Sequence, residues 1–435
     1  MATGPSRLPG GSGRSGRHRR SSETQATYGE VIAIGEFRGL WIAQGLSLLG
    51  DQLAQIALGV LVYQRTESPL ATAGVYALTY LPPIVGGPLL AGLADRYARR
   101  RMMILCDLIR AALVAVMAMP GMPLIVLCAL LFGVIVLSTP FSAARASLLP
   151  DVLPGDRYVV GSALQNMTNQ AVQMLGFAVG GVTILNLGPY RGLALDSATF
   201  LSSALILVAA VRPRPAPARG PGPRPSMWRT TIDGSRLIFS DRRLRILILF
   251  AWLCGFYVLT EGIAIPYAAA LSDDKEMLPV ISGLLMAAMP TGTVIGAFVF
   301  SRFVSPSGRL RSMGWMAMLS CAPLIGCAMR PPLVVVLVLW LLSGVGGAYQ
   351  LAANTAFVQC VPPGRRGQAF GLVQSGLLAV QGIGILIGGA AAEHLGAEPV
   401  IALSGVAGLS LAAILATAWT ESRMDVIARA RAQAT

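Results

Sequence analysis

The chain has 435 residues, 54% of them hydrophobic and only 12% charged, with a formal net charge of +14. A water-soluble domain carries about 25% charge, and one aqueous core cannot absorb this much apolar surface at this length. A soluble enzyme is therefore excluded. The bases sit in short connections between oily segments, so they read as membrane orientation and not as a nucleic-acid surface.

Residues 1–36 are rich in Gly, Ser and Arg, as in "GGSGRSGRHRRSS", and read as a disordered tail. Apolar stretches of about 20 residues then recur, the length at which a helix crosses hydrocarbon. Backbone polar groups in lipid must be satisfied within the segment, so these stretches are predicted helices. The short alternating segments of a membrane β-barrel do not occur. The predicted spans cover 39–63, 70–94, 103–120, 124–143, 159–187 and 192–211. The second set covers 244–271, 278–303, 310–329, 333–359, 368–395 and 400–420. Residues 212–243 divide the sets. Their first part, "RPRPAPARGPGPRP", cannot be helical, whereas the part from Trp228 suits a helix on the membrane surface. The expected organisation is a six-helix half at 37–211, a cytoplasmic linker at 212–243, a second half at 244–420 and a tail at 421–435.

Orientation follows from the bases. With the N-terminus in the cytoplasm, all but five of the 34 Lys and Arg lie inside, as the positive-inside rule requires. Arg65, Arg191, Lys275 and Arg330 fall outside, and Arg110 falls within the third span. Both termini are expected in the cytoplasm, with the chain multi-pass in a cell membrane. Six cysteines lie in or beside apolar segments without ligand spacing to His18 or His394, and they read as small apolar side chains. No metal, cofactor or nucleotide-binding loop is expected.

The two halves resemble each other. "AVQMLGFAVGG" begins at Ala171 in the fifth span and "AVQGIGILIGG" at Ala379 in the eleventh. The same shift carries Gly188 onto Gly396 and Pro82 onto Pro290. Parallel six-span repeats are a transporter architecture, with the substrate site between the repeats near the midplane.

These features, with "AGLADRYARR" after the second span, resemble the major facilitator superfamily. Asp95, Arg96, Arg99 and Arg100 match the charged signature of that family's second-to-third loop. Gly92 stands one residue late, and Ala91 and Ala98 replace the two glycines. "LLGDQLAQIAL", "CDLIRA", "SLLPDVLP" and "VPPGRRGQAFGL" are similar to the bacterial branch containing macrolide and siderophore exporters. The resemblance implies an all-α membrane protein of twelve helices in two repeats. It also implies a cytoplasmic latch in which Asp95 docks on the start of the eleventh span. A carboxylate there is stabilised by the helix dipole and the free N–H groups. Arg96 or Arg99 would pair with Asp151. The family's intramembrane arginine of the fourth span, found in many proton-coupled relatives, is absent, which counts against a proton mechanism.

Ionisable groups at membrane depth are functional candidates. Asp51 in the first span and Glu261 in the seventh are expected to line the central cavity, with Gln55, Asn169 and Gln173. Trp252, Phe256, Tyr257 and Met174 would add apolar and aromatic wall. Asp107 and Arg110, at i and i+3, read as a local ion pair linked to the latch. Asp196, near the outer end of its span, reads as reaching water. The expected function is secondary active transport: export of a drug-like or secondary-metabolite amphiphile by a monomer, in exchange for protons. Low dielectric disfavours a charged carboxyl, which suits such exchange. A facilitator or importer of the same fold, or a non-transporting sensor or scaffold, is the alternative.

Overall fold

The computed structural model describes residues 26–80, 97–215, 239–362 and 366–432. All regular structure among them is helical. A short α1 (Tyr28–Ala33) is followed by α2 (Gly35–Thr66), α3 (Pro69–Ala77), α4 (Arg99–Met117), α5 (Leu124–Val152), α6 (Asp156–Leu187) and α7 (Pro189–Ala210). After residue 238 come α8 (Arg242–Trp252), α9 (Cys254–Gly262), α10 (Ala264–Leu271), α11 (Leu278–Phe303) and α12 (Pro306–Cys321). A 3₁₀ segment (Ala322–Met329), α13 (Leu333–Gly347), α14 (Tyr349–Cys360), α15 (Arg366–Leu395) and α16 (Ala397–Ala432) complete the chain.

Ten helical stretches among the described residues are long and apolar enough to cross a bilayer, counting α8 with α9, α12 with the 3₁₀ segment, and α13 with α14. The second predicted span is described only as far as Tyr80. The third, α4, opens with Arg99, Arg100 and Arg101, which lower its hydropathy, yet it packs against α5 and α7 inside the bundle.

Local sequence explains the helix ends. Ser68 accepts a hydrogen bond from the Ala71 amide and is followed by Pro69, so α3 starts with a side-chain cap and a proline that needs no donor. Ser305 and Pro306 repeat this at α12. Gly188 (φ +77°) and Gly396 (φ +86°) both take positive φ just before α7 and α16, which glycine adopts without penalty. These are the glycines that the internal repeat superposes.

Several expectations change. The tail read as disordered through residue 36 contains α1, capped by Thr27, with Val31 fully buried; residues 1–25 lie outside the described residues. The seventh span, predicted unbroken, is three helices. Pro266 has no N–H for the Gly262 carbonyl, and α9 ends there. The tenth breaks at Ala348, after Gly346 and Gly347. The helix of the last span runs on to Ala432. The expected surface helix from Trp228 lies outside the described residues except at its end.

Before residue 216, α2 packs on α6 and α7, and α4 on α5 and α7. After residue 238, α11 packs on α13, α9 on α15, and α12 on α16. Two crossings join these groups most extensively, α6 with α11 and α3 with α15. A Cβ at Gly181 would stand 2.5 Å from the Pro279 carbonyl oxygen, so the α6–α11 backbones touch. A Cβ at Gly389 would stand 2.3 Å from the Ala73 Cβ, which sets the α15–α3 crossing. Gly181 and Gly389 are also superposed by the repeat.

Candidate functional site

A cavity of about 240 Å³ lies between these helix groups. Its polar lining comes from Asp51, Gln52 and Gln55 on α2, Tyr76 on α3, Arg110 on α4 and Asp196 on α7, with Glu261 on α9 from the other group. Leu48, Leu58, Val75, Val114, Met117 and Leu131 supply apolar wall. Such a mixture, apolar with a few placed polar groups, is the general composition of a small-molecule pocket.

Helical spacing builds the charged side of this cavity. Ser47 and Asp51 are four apart on α2 and share one face. Arg110 Nη2 donates to Asp51 Oδ1 at 2.8 Å, and Nη1 reaches Ser47 Oγ at 3.4 Å. The guanidinium lies over the Phe200 ring, 4.0 Å from its centroid. A cation on an aromatic face gains from the ring quadrupole. Asp107 is fully buried; Ser203 Oγ donates to its Oδ2 at 2.6 Å. Its Oδ1 stands 3.8 Å from Arg110 Nη1 and has no hydrogen-bond partner among the described residues. Asp107 and Arg110 are therefore not simply a local pair. Asp51 has the shorter contact, because α2 packs against α7, to which α4 is also held.

Asp196 corrects a second expectation. It is 1% exposed and lines the cavity. Gly50 allows this: a Cβ there would stand 2.1 Å from Asp196 Oδ1. Thr199 Oγ1 lies 3.3 Å from the same oxygen. Asp51 and Asp107 thus flank one guanidinium, and Asp196 lines the same cavity. On the facing side, the Tyr76 hydroxyl donates to Glu261 Oε2 at 2.7 Å.

The other sequence candidates fall in different places. Gln55 lines the cavity, and its Oε1 is buried without a partner among the described residues. Asn169 accepts from Gln44 Nε2 at 2.8 Å, so it ties α6 to α2 and does not line this cavity; neither does Gln173. Trp252, Phe256, Tyr257 and Met174 also stand away from it. Arg99 pairs with Asp151, linking the start of α4 to the end of α5. Arg100 Nη2 donates to the Val208 carbonyl at 2.6 Å. Gly92, Asp95 and Arg96 lie outside the described residues. The helix of the fourth span, α5, continues past the predicted end of the span to Val152 and includes Arg145. Among the described residues, Arg145 Nε and Nη1 have no hydrogen-bond partner.

Tyr76, Ser47 and Ser203 were not singled out in the sequence. Ser203 was findable: it stands seven residues after Asp196, on the same helical face. Tyr76 carries no such signal, since it acts across two helices distant in sequence.

The family is shown by comparison with known proteins. The chain matches the Major Facilitator Superfamily over residues 40–267 and 255–432, and it belongs to that superfamily of membrane transporters. It is 27% identical over 371 residues to the multidrug efflux pump Tap of Mycolicibacterium fortuitum, covering 80% of this chain and 87% of that protein. It is 21% identical to macrolide efflux protein A of Streptococcus pyogenes, covering 85% and 92%. Among solved structures, the nucleoside transporter NupG superposes with a TM-score of 0.68 at 14% identity, over 88% of this chain and 98% of that one. A bacterial homolog of the human lysosomal transporter Spinster, in an inward-facing unoccupied conformation, gives 0.67 at 15% identity, over 93% and 99%. The chain is thus an all-helical, multi-pass membrane transporter with bacterial relatives, two of which are drug efflux pumps.

Proposed function

We propose that this transporter exports an amphiphilic small molecule from a bacterial cell in exchange for protons. The observation that carries the reading is the pair of carboxylates facing one largely apolar cavity from opposite helix groups, Asp51 on α2 and Glu261 on α9. Residues 37–211 and 244–420 act as the two moving halves, linked through 212–243, with both termini in the cytoplasm. Membrane-embedded carboxyls are costly unless partnered or protonated. A carboxylate that alternates between a proton and a substrate makes their binding mutually exclusive, which antiport requires. The efflux pumps among its relatives support the direction, and the apolar wall supports an amphiphile over a sugar.

The test uses purified protein in liposomes, an imposed pH gradient and ethidium as the probe. Asp51→Asn and Glu261→Gln are compared for gradient-driven accumulation and for gradient-free exchange. At least one variant should lose accumulation and keep exchange. Full accumulation by both variants would place coupling elsewhere, and wild-type transport indifferent to the gradient would favour a facilitator.

A further inference from the structure

We propose that Arg110 is a two-position switch that reports the protonation of Asp51 to the start of α4. This rests on the proton-coupled reading and extends it from the cavity to the loop that follows the second span. In the present conformation the guanidinium sits on Asp51, 2.8 Å from Oδ1. One residue turn below, Asp107 Oδ1 stands 3.8 Å from the same guanidinium, fully buried and without a hydrogen-bond partner among the described residues. That oxygen is the second seat. The first is held only while Asp51 is an anion.

The groups that face Arg110 fix the sense of the switch. Asp51 comes from α2, Asp107 from α4 itself and Asp196 from α7; α5 and α6 present no charged side chain to this cavity. Glu261, with Tyr76, faces from across it. Three carboxyls share this region with one cation, so the guanidinium has more than one anionic partner on offer. A proton on Asp51 removes the attraction that holds Nη2. The guanidinium then gains most by closing on Asp107 Oδ1, while Ser203 Oγ already donates to the other oxygen of that carboxyl at 2.6 Å. The proton comes from water in the cavity, and no covalent step is involved.

The movement has a path to the loop. Arg110 and Asp107 share α4 with Arg99 and Arg100, about 16 Å away at 1.5 Å per residue. Arg99 holds Asp151 at the end of α5, and Arg100 donates to the Leu207 and Val208 carbonyls at the end of α7. Ser203 and Leu207 are four apart on α7 and face α4 at two levels. Drawing Arg110 onto Asp107 therefore changes how α4 seats against α7 at both. Arg110 and Asp107 are positioning residues; Asp51 carries the proton.

The test follows the carbonyl band of protonated Asp51 in infrared spectra of purified protein in lipid, titrated with acid. The band is identified by its loss in Asp51→Asn. Asp107→Asn removes the second seat's charge and keeps its size, so Arg110 stays on Asp51. The band should then appear at a pH roughly one unit lower, a tenfold change in proton affinity. Ser203→Ala leaves Asp107 more dependent on Arg110 and should move the band to higher pH. A band unmoved in both variants overturns the switch. Should Asp107→Asn fail to insert, an unmoved band in Ser203→Ala alone overturns it. The titration needs no substrate, so it stands apart from ethidium accumulation by the wild type, whose failure would sink the coupling reading instead.

Discussion

Tyr76 and Glu261 join the two helix groups directly: the phenol on α3 donates to the carboxylate on α9 at 2.7 Å inside the shared cavity. Tyr76 comes before the linker and Glu261 after it, so any rocking of one half against the other must break or rebuild this bond. Its worth, about 0.5–1.5 kcal/mol when the carboxyl is neutral and about 1.5–3 kcal/mol when it is charged, is in the range of a conformational bias.

Tyr76→Phe should therefore insert normally and lower gradient-driven ethidium accumulation by about five- to tenfold, in line with about 1 kcal/mol or slightly more. The variant keeps the ring and its contact with Tyr80, so a loss of folding is not expected. Unchanged initial rates in proteoliposomes would show that the bond is not broken in the limiting step.

Gly181→Val should hold α6 and α11 apart. The added Cβ alone would stand 2.5 Å from the Pro279 carbonyl oxygen and 3.2 Å from the Gly283 Cα, and backbone cannot yield as a flexible side chain does. A cysteine pair across this crossing should crosslink in the wild type and much less in the variant. Equal crosslinking would mean that the helices absorb the volume elsewhere.

Arg99→Ala should have little effect on thermal stability, because the pair with Asp151 is partly exposed and such pairs contribute about 0–1 kcal/mol. If the loop acts as a latch, transport should fall several-fold in this variant and in Asp95→Asn. Normal transport in both would leave the arginines as orientation signals alone.

Gly50→Ala should be harmful for a local reason. Its methyl would meet Asp196 Oδ1 and Thr199 Oγ1 at 2.1 and 2.2 Å. Reduced yield of folded protein, with partial recovery in Gly50→Ala combined with Asp196→Ala, is the expected pattern. It is checked by detergent-solubilised thermal unfolding.

Orientation is checked by labelling. Ser226→Cys should react only from the cytoplasmic side and Asp273→Cys only from outside, as the distribution of bases requires. Reaction of the first with an impermeant reagent on intact cells would reverse the assignment.

Much of this was legible in the sequence because the bilayer constrains it so strongly. Span length and the recurrence of apolar stretches point to membrane helices, and the shared "AVQ" segments point to a repeat. Asp51 and Glu261 stood out because charge at depth is rare. What could not be read was partnership. Nothing in the sequence tells whether Arg110 prefers Asp107, three residues away on its own helix, or Asp51, on another; that depends on how α2 and α4 both lean on α7. Asp196 was misread for the same reason. Its nearness to a span end suggested water, but Gly50 opposite it lets α2 come close enough to cover it. The helix α5 runs on past residue 143, which hydropathy alone marks as the end of the apolar stretch, because helical backbone continues through Arg145 to Val152.

The Gly181–Gly283 crossing has a mechanical consequence. Where two backbones meet through glycines, no side-chain hydrogen bond or ion pair has to break when they part. What is lost is dispersion, and what replaces it is lipid chain. The seam itself then offers little polar resistance to opening, so the packing of the surrounding bilayer weighs more there than at the Tyr76–Glu261 contact. Turnover should accordingly respond to the acyl-chain length of the host membrane even when substrate and pH gradient are fixed.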